Sequence, residues 1–222
     1  MSEGRDVQEV RFGPIRAHAV SMPEAVDLIA RRAASGRGGF VLTPNLDTLA
    51  QARRYETVAR AYADVFLSLA DGMPLVAAAR LLRLPLRSKV SGSDLLEPLM
   101  ERCAAEGLPV YFIGAAPETC EAAVERLRRD VPRLKLLGYD SSAFDPERDP
   151  EAARNAFRRA RDLGARLVVV FLPTMKTLML HRFRDEYHPA LGIGLGESLA
   201  FYAGPVRRAP RWMSRLGLEW AY

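Results

Sequence analysis

The chain has 222 residues, which is enough for one globular domain and cramped for two. Apolar residues make up 49% of it and charged residues 27%, a balance that excludes an intrinsically disordered chain. The net charge of +5 and the pI of about 9.5 favour acidic partners, but charge alone does not choose among nucleotides, diphosphates, nucleic acids and anionic lipid.

Six apolar, β-rich runs bounded by turn residues predict buried strands at 39–43, 65–70, 109–114, 134–138, 167–172 and 191–194. Amphipathic helical patterns lie between these runs, at 23–35, 46–63, 73–82, 93–106, 118–130, 150–163 and 175–187. This alternation predicts a single α/β domain with a mostly parallel, Rossmann-like sheet and helices on both faces. We expect the domain to span residues 1–204, followed by a basic and aromatic segment at 205–222.

The residues that follow each strand are the candidates for a functional site. Ligands of parallel α/β sheets bind at the carboxyl ends of the strands, and all of these ends share one rim. Five segments are expected there: residues 43–47, 71–72, 114–118, 173–175 and 194–197.

The first two rim segments offer a helix terminus and a carboxylate. Thr43 or Asn45 can cap the helix that follows, whose N–H groups can bind phosphate; a cap without a ligand is the alternative. Asp71 ends an apolar strand, and Gly72 allows a sharp turn after it. A carboxylate held there can take a proton from an attacking hydroxyl, although an N-cap is the alternative interpretation.

Two further segments can meet phosphate. Lys89, with Arg87, precedes the Gly92 turn and can balance charge on a departing diphosphate; a solvated surface charge is the alternative. Gly114 follows a buried strand, as glycines do where α/β folds approach a nucleotide, but the glycines here do not fit GxGxxG. Residues 192–196 predict a tight turn from a strand to a helix near the site.

Several classes of function lack their signatures. The three histidines, His18, His181 and His188, have no metal-ligand spacing, and neither a P-loop nor a GxSxG elbow occurs. The first 22 residues lack the apolar core of a signal peptide, and no stretch approaches about 18 consecutive apolar residues. Cys103 and Cys120 form no disulfide framework, so we expect a reducing, cytoplasmic location.

In order and spacing, these motifs resemble the WecG/TagA/CpsF glycosyltransferases, glycosyltransferase family 26, from about Phe40 to Tyr222. The resemblance is carried by the strings TPNLD, ADG, KVSGSDL, FIGAAPE, the GxG turn leading to an FxAG element, and RAPRWMSRLGLEW. It implies the GT-E type fold and an inverting transferase without metal or cofactor. The implied donor is a UDP-sugar, and the acceptor is a sugar on undecaprenyl diphosphate, used for teichoic acid, enterobacterial common antigen or exopolysaccharide. No nucleic-acid partner is implied.

The resemblance also implies roles for particular residues. Asp71 matches the proposed catalytic base, Thr43 a residue of the substrate pocket, and Lys89 an arginine thought to stabilise the leaving diphosphate. A lysine keeps the charge but loses the bidentate fork of arginine. The other residues expected at the substrate pocket are Asn45, Asp47, Gly72, Gly92, Gly114, Pro173, Met175, Gly194 and Glu197.

The sequence departs from the family pattern after the fifth strand. The family usually reads P-K-Q-E there, with the glutamine lining the pocket, whereas this chain has Met175 followed by Lys176. Met175 cannot make the glutamine's hydrogen bond, which indicates a different donor sugar or a divergent branch. Ala200 also stands where an acidic residue is frequent.

The last residues combine positive charge with aromatic rings. Arg207, Arg208 and Arg211 lie close to Trp212 in sequence, a composition suited to an anionic membrane surface and to the diphosphate of the acceptor. We therefore expect a peripheral protein on the inner face of the cell membrane. In the alternative interpretation these side chains pack on the domain or join subunits of a homo-oligomer.

Two other functions remain open from the sequence. A nucleotide- or polyanion-binding module without catalysis would fit the basic charge and the missing glutamine. A nicotinamide-dependent oxidoreductase is disfavoured by the absent glycine fingerprint.

Overall fold

The computed structural model describes residues 7–86, 88–141, 149–173 and 175–204. The strands are β1 (Glu9–Phe12), β2 (Ile15–His18), β3 (Phe40–Leu42), β4 (Leu67–Ser68), β5 (Val110–Gly114), β6 (Leu136–Asp140), β7 (Leu167–Phe171) and β8 (Leu191–Gly194). The helices are α1 (Met22–Ser35), α2 (Leu46–Arg54), α3 (Glu56–Asp64), α4 (Met73–Leu81), α5 (Gly92–Glu106), α6 (Pro117–Asp130), α7 (Pro150–Asp162), α8 (Lys176–Arg182), α9 (Arg184–Tyr187) and α10 (Ser198–Ala203).

Six of these strands form one parallel sheet in the described part of the chain, in the order β4-β3-β8-β7-β5-β6. All six are the strands that the apolar runs predict. The single α/β domain with a parallel, Rossmann-like sheet is therefore confirmed. Because the strands are parallel, the residues after β3, β4, β5, β7 and β8 meet at one edge of the sheet, which we call the carboxyl rim.

Helices cover both faces of the sheet, and each face has its own apolar core. Along β5 and β7 alternate residues point to opposite sides, as a strand requires. Phe112 and Val169 join one core with α1, α5, α6 and α10. Ile113 and Val168 join the other with α2, α3, α7, α8 and α9. Both faces being buried explains why these strands are apolar throughout rather than alternating.

A small antiparallel hairpin of β1 and β2 precedes the sheet, and the sequence did not predict it. Each strand has only four residues, and only Val10, Ile15 and Ala17 of them are buried. Such short, one-sided strands carry too few apolar positions for a clear period of two. The hairpin packs with α4 through a small cluster that includes Leu75.

Two predicted helices are each divided in the structure. The expected helix at 46–63 is broken at Tyr55, which has an extended backbone and lies between α2 and α3. The expected helix at 175–187 is broken at Phe183, whose ring stacks on Phe157 with centroids 5.6 Å apart. Both halves of each divided helix contribute buried residues to the same core, and helical periodicity does not record where such a break falls.

None of the helices in the described residues has the length and apolar character needed to cross a bilayer.

Candidate active site at the carboxyl rim

Thr43 lies directly after β3 and is buried. Its hydroxyl donates a hydrogen bond to the carbonyl oxygen of Gly194, at the end of the neighbouring strand β8, over 3.2 Å. A polar side chain is stable here because this bond satisfies it. The contact joins two rim segments that are 151 residues apart in the chain.

Asp71 follows β4 on the same rim and is partly exposed. The backbone fixes it on both sides: its N–H donates to Pro44 O at 2.8 Å, and Val90 N–H donates to Ala70 O at 2.9 Å. The Gly92 N–H at the start of α5 lies 3.5 Å from Asp71 Oδ2, so the carboxylate faces the amino end of that helix. The N-cap of α4 is Gly72, with φ of 112°, rather than Asp71. The carboxylate is thus not used to cap the helix that follows it.

Lys89 lies beside Asp71 in the fold because the next residue, Val90, pairs with Ala70. Its side chain is partly exposed. Gly92 begins α5 where the helix packs on the turn after β8. A Cβ at Gly92 would be only 3.1 Å from Ser198 Oγ and 3.2 Å from Leu195 O, so glycine allows a close approach here and a larger residue would require the turn to shift.

Asn45 and Asp47 have local structural roles. The Asn45 carboxamide oxygen accepts the Thr48 N–H at 2.9 Å and so forms the N-cap of α2. Asp47 is exposed and accepts a hydrogen bond from Gln51 Nε2 at 2.6 Å, one turn along the same helix. Both contacts agree with the alternative interpretation of this segment as a helix cap, and their roles toward substrate stay predictions.

Lys176 is a rim residue that the sequence reasoning did not select. It begins α8, and its ammonium donates to Thr43 Oγ1 at 3.3 Å. Burial lowers the pKa of this ammonium, while the nearby carboxylates of Asp71 and Glu197 act in the opposite direction. The sequence signal for it was faint: one of the chain's three lysines, placed directly after a predicted rim segment.

A cavity of about 410 Å³ opens at the rim beside these residues. The residues that line it come from the ends of β5, β6, β7 and β8 and include Ala115, Pro117, Ser141, Pro173, Gly196 and Glu197. The predicted pocket residues Pro173 and Glu197 are therefore brought together at its wall. The volume lies within the usual range for a small-molecule site.

The turn after β5 forms one side of this cavity. Gly114 has φ of 94°, and a Cβ there would be 2.9 Å from the Leu172 side chain, so the two strand ends approach closely only with glycine. The Cys120 thiol donates a hydrogen bond to the Gly114 carbonyl oxygen at 3.1 Å and so stabilises the turn.

Met175 packs against the core on the α8 side of the sheet. The described cavity is lined by Pro173 of this segment but not by Met175. Whether Met175 meets a donor sugar stays a prediction, since the neighbouring Thr174 lies outside the described residues.

Tyr62 lies in the core close to the carboxyl rim. It is buried, and burial raises the pKa of its hydroxyl. The nearby charge of Asp71 raises that pKa further, and Thr48 and Thr177 are the polar neighbours of the hydroxyl. Its hydroxyl makes no hydrogen bond of good geometry within the described part of the protein.

Other predicted residues lie outside the described ranges, namely Arg87, Arg207, Arg208 and Arg211, together with the whole segment 205–222. Among the residues that are described, there is no group of three or more His, Cys, Asp or Glu side chains able to hold a metal ion.

The fold defines the class of the protein: an α/β domain with a parallel sheet, a class in which ligands bind at the carboxyl edge. The chain belongs to the glycosyl transferase WecG/TagA/CpsF family, because the model of that family matches residues 10–222. It is therefore a glycosyltransferase, as the sequence motifs predicted.

A curated relative from Bacillus spizizenii is named N-acetylglucosaminyldiphosphoundecaprenol N-acetyl-beta-D-mannosaminyltransferase. The two sequences are 31% identical over 189 residues, which cover 84% of this chain and 70% of the relative.

Proposed function

We propose that this protein transfers a sugar from a UDP-sugar to a sugar on undecaprenyl diphosphate, with inversion at the anomeric carbon and without a metal ion. The observation that carries the proposal is a carboxylate, Asp71, fixed at the carboxyl rim against the start of α5 and within electrostatic range of Lys176. The acceptor class is supported by the name of the Bacillus relative, whose acceptor is an undecaprenyl-linked N-acetylglucosamine. The product would be a precursor of teichoic acid or another cell-surface polysaccharide.

In the proposed reaction, Asp71 acts as the general base. It takes the proton of the acceptor hydroxyl while that oxygen attacks the anomeric carbon on the side opposite the diphosphate. The bond between the anomeric carbon and the β-phosphate oxygen breaks as the new glycosidic bond forms, and UDP leaves with the bonding electron pair. Lys89, next to Asp71 in the fold, supplies positive charge to the departing diphosphate.

The cavity at the ends of β5, β7 and β8 supports a nucleotide donor. Apolar side chains and backbone line most of it, and Glu197, whose charge acts on Lys176, is one of its polar lining residues. A mainly apolar cavity with a few polar groups suits a planar base and its ribose. Gly114, whose close packing against Leu172 shapes one wall, is then part of the nucleotide site.

A donor screen tests the proposal. The protein is incubated with labelled UDP-sugars, beginning with UDP-N-acetylmannosamine, and a short-chain polyprenyl diphosphate N-acetylglucosamine; NMR of the product then gives the anomeric configuration. We expect one donor to be transferred with inversion in the presence of EDTA. Retention, or a strict need for a divalent ion, would contradict the mechanism. Tight UDP binding without transfer to any acceptor would instead favour a nucleotide-binding module without catalysis.

We also propose that the protein binds the inner face of the cell membrane, where its lipid-linked acceptor is found. The basic residues Arg207, Arg208 and Arg211 are the expected contacts. Flotation with anionic vesicles should decrease with salt and on replacement of these arginines by glutamine. Flotation that is unaffected by both changes would argue against the proposed contact.

A further inference from the structure

Lys176 is held at the rim by close packing of its aliphatic stem. The stem crosses Gly194: a Cβ on that glycine would be 3.1 Å from Lys176 Cβ and 3.2 Å from Cγ and Cδ. The ammonium lies 3.2 Å from the position a Cβ would take on Gly196. Two glycines thus make the channel through which this side chain reaches the site, and larger residues at either position would displace it.

The ammonium has hydrogen-bonding capacity that the described residues do not use. A lysine ammonium carries three N–H donors. Thr43 Oγ1 accepts one of them at 3.3 Å, and the Thr43 hydroxyl hydrogen is itself committed to Gly194 O. In the part of the chain that the structure describes, the Lys176 ammonium has no other hydrogen-bond acceptor, so two of its donors are unused.

The charge of Lys176 is also incompletely balanced. Asp71 and Glu197 both favour the charged form, yet burial is the larger effect and the pKa remains below that of a free lysine. A partly buried cation of this kind is stabilised when an anion replaces the water it has lost.

The position of the ammonium indicates which bound molecule carries that anion. Gly196 and Glu197 line the cavity, the ammonium lies next to Gly196, and Asp71 is close enough to act on its charge, so the ammonium is near both the cavity and the carboxylate. A donor with its nucleoside in the cavity and its anomeric carbon near Asp71 has its anionic groups at this point.

We propose that the Lys176 ammonium binds an anionic oxygen of the donor substrate at the junction between the cavity and Asp71. The proposal rests on the proposed donor class. Two groups share the required chemistry: the diphosphate of the nucleotide, and the carboxylate of an acidic sugar attached to it. In either case Lys176 is a binding residue distinct from Lys89, which precedes α5 and lies beside Asp71 through the pairing of Val90 with Ala70.

The test is calorimetry with UDP, UDP-glucose and UDP-glucuronic acid on the wild-type chain and on Lys176→Met. Methionine keeps much of the stem but removes the charge and the donors. Lys135→Met is the matched control, because Lys135 is exposed at the amino end of β6, away from the rim. Thermal unfolding checks the fold. We expect Lys176→Met to unfold at no lower temperature than the wild type, since it removes a partly buried charge.

If Lys176 binds the diphosphate, Lys176→Met weakens all three ligands by about tenfold to a hundredfold, the usual range for a hydrogen bond to a charged group. If it binds a sugar carboxylate, only UDP-glucuronic acid is weakened. Equal affinities in the wild type, Lys176→Met and Lys135→Met overturn the proposal while leaving the nucleotide donor intact.

A second measurement separates this proposal from the donor class. The chain has three lysines, so selective ¹³C labelling of their Cε atoms gives few signals, and the Lys176→Met spectrum assigns the one from Lys176. If the wild type binds none of the UDP compounds, the proposed donor class fails, and inorganic diphosphate is titrated instead. A shift of the Lys176 signal and a rise in its pKa support the anion site. An unchanged Lys176 signal refutes it.

Discussion

Gly192 is the second residue of β8, the strand that ends at the rim glycine Gly194. A Cβ at this position would be 2.5 Å from Leu180 Cδ2, 2.9 Å from Tyr187 Oη and 3.0 Å from Tyr187 Cζ. Leu180 belongs to α8 and Tyr187 to α9, and both are fully buried. The Tyr187 hydroxyl is further held by donating to Leu180 O at 2.8 Å. Both side chains are buried, so one of them must shift within the core to admit a Cβ here.

Gly192→Ala therefore inserts a methyl group into a filled core. Overpacking of this kind costs about 1–3 kcal/mol of unfolding free energy. For a domain of this size each kcal/mol corresponds to about 2–4 °C in Tm. We expect Tm to fall by several degrees in thermal unfolding followed by circular dichroism, and the urea midpoint to fall with an unchanged m value.

The double variant Gly192→Ala/Leu180→Ala provides the check on the cause. Removing the Leu180 side chain opens the space that the new methyl needs, so the double variant should be less destabilised than the sum of the two single changes. A Gly192→Ala protein with the Tm of the wild type would refute the close seating of α8 and α9 on β8. So would strictly additive losses, because they would show that the methyl and Leu180 do not compete for one space.

Three further outcomes follow from local contacts. Asn45→Ala removes the N-cap of α2 and should lower the unfolding free energy by about 1 kcal/mol in a urea titration. An unchanged unfolding free energy would mean that the Thr48 N–H finds another acceptor. Burial raises the pKa of Cys103 to about 12 and that of Cys120 to about 11. Neither thiol should therefore react readily with DTNB at pH 8 until guanidinium unfolds the chain. Rapid reaction in the native protein would contradict the buried placement. His18 Nδ1 accepts the Ser68 N–H at 3.0 Å, and burial lowers its pKa. The unfolded chain therefore binds this proton more tightly, and stability should be lost as the pH falls below about 6.5. That loss should be smaller in His18→Asn, which keeps an acceptor but does not titrate; an equal loss in both proteins would show that other groups cause it.

The sheet could be predicted from the sequence because its strands are buried on both faces. An uninterrupted apolar run such as Leu167–Phe171 is a strong local signal, and turn residues mark its ends. The β1–β2 hairpin and the breaks at Tyr55 and Phe183 were not predicted. They depend on what each segment packs against, and the chain's local pattern does not contain that information.

The grouping of rim residues could be predicted for a related reason, while their roles toward substrate stay predictions. Parallel strands bring their following residues to one rim, so Thr43, Asp71 and Glu197 could be grouped from order alone. Lys176 could not, because its place depends on a side chain crossing Gly194 to reach Thr43, 133 residues earlier. Met175 and Lys176 both depart from the family pattern in sequence, but only Met175 was expected at the substrate pocket.

Asp71→Asn tests the central claim of a general base at the rim most directly. Turnover with the donor and lipid acceptor identified in the screen is measured beside the affinity for UDP, with Asp185→Asn, a carboxylate exposed on α9, as control. We expect turnover to fall by about 10²–10⁴-fold in Asp71→Asn with UDP affinity largely kept, and no change in the control. Turnover of Asp71→Asn equal to that of the wild type would remove the base from the mechanism and contradict the account.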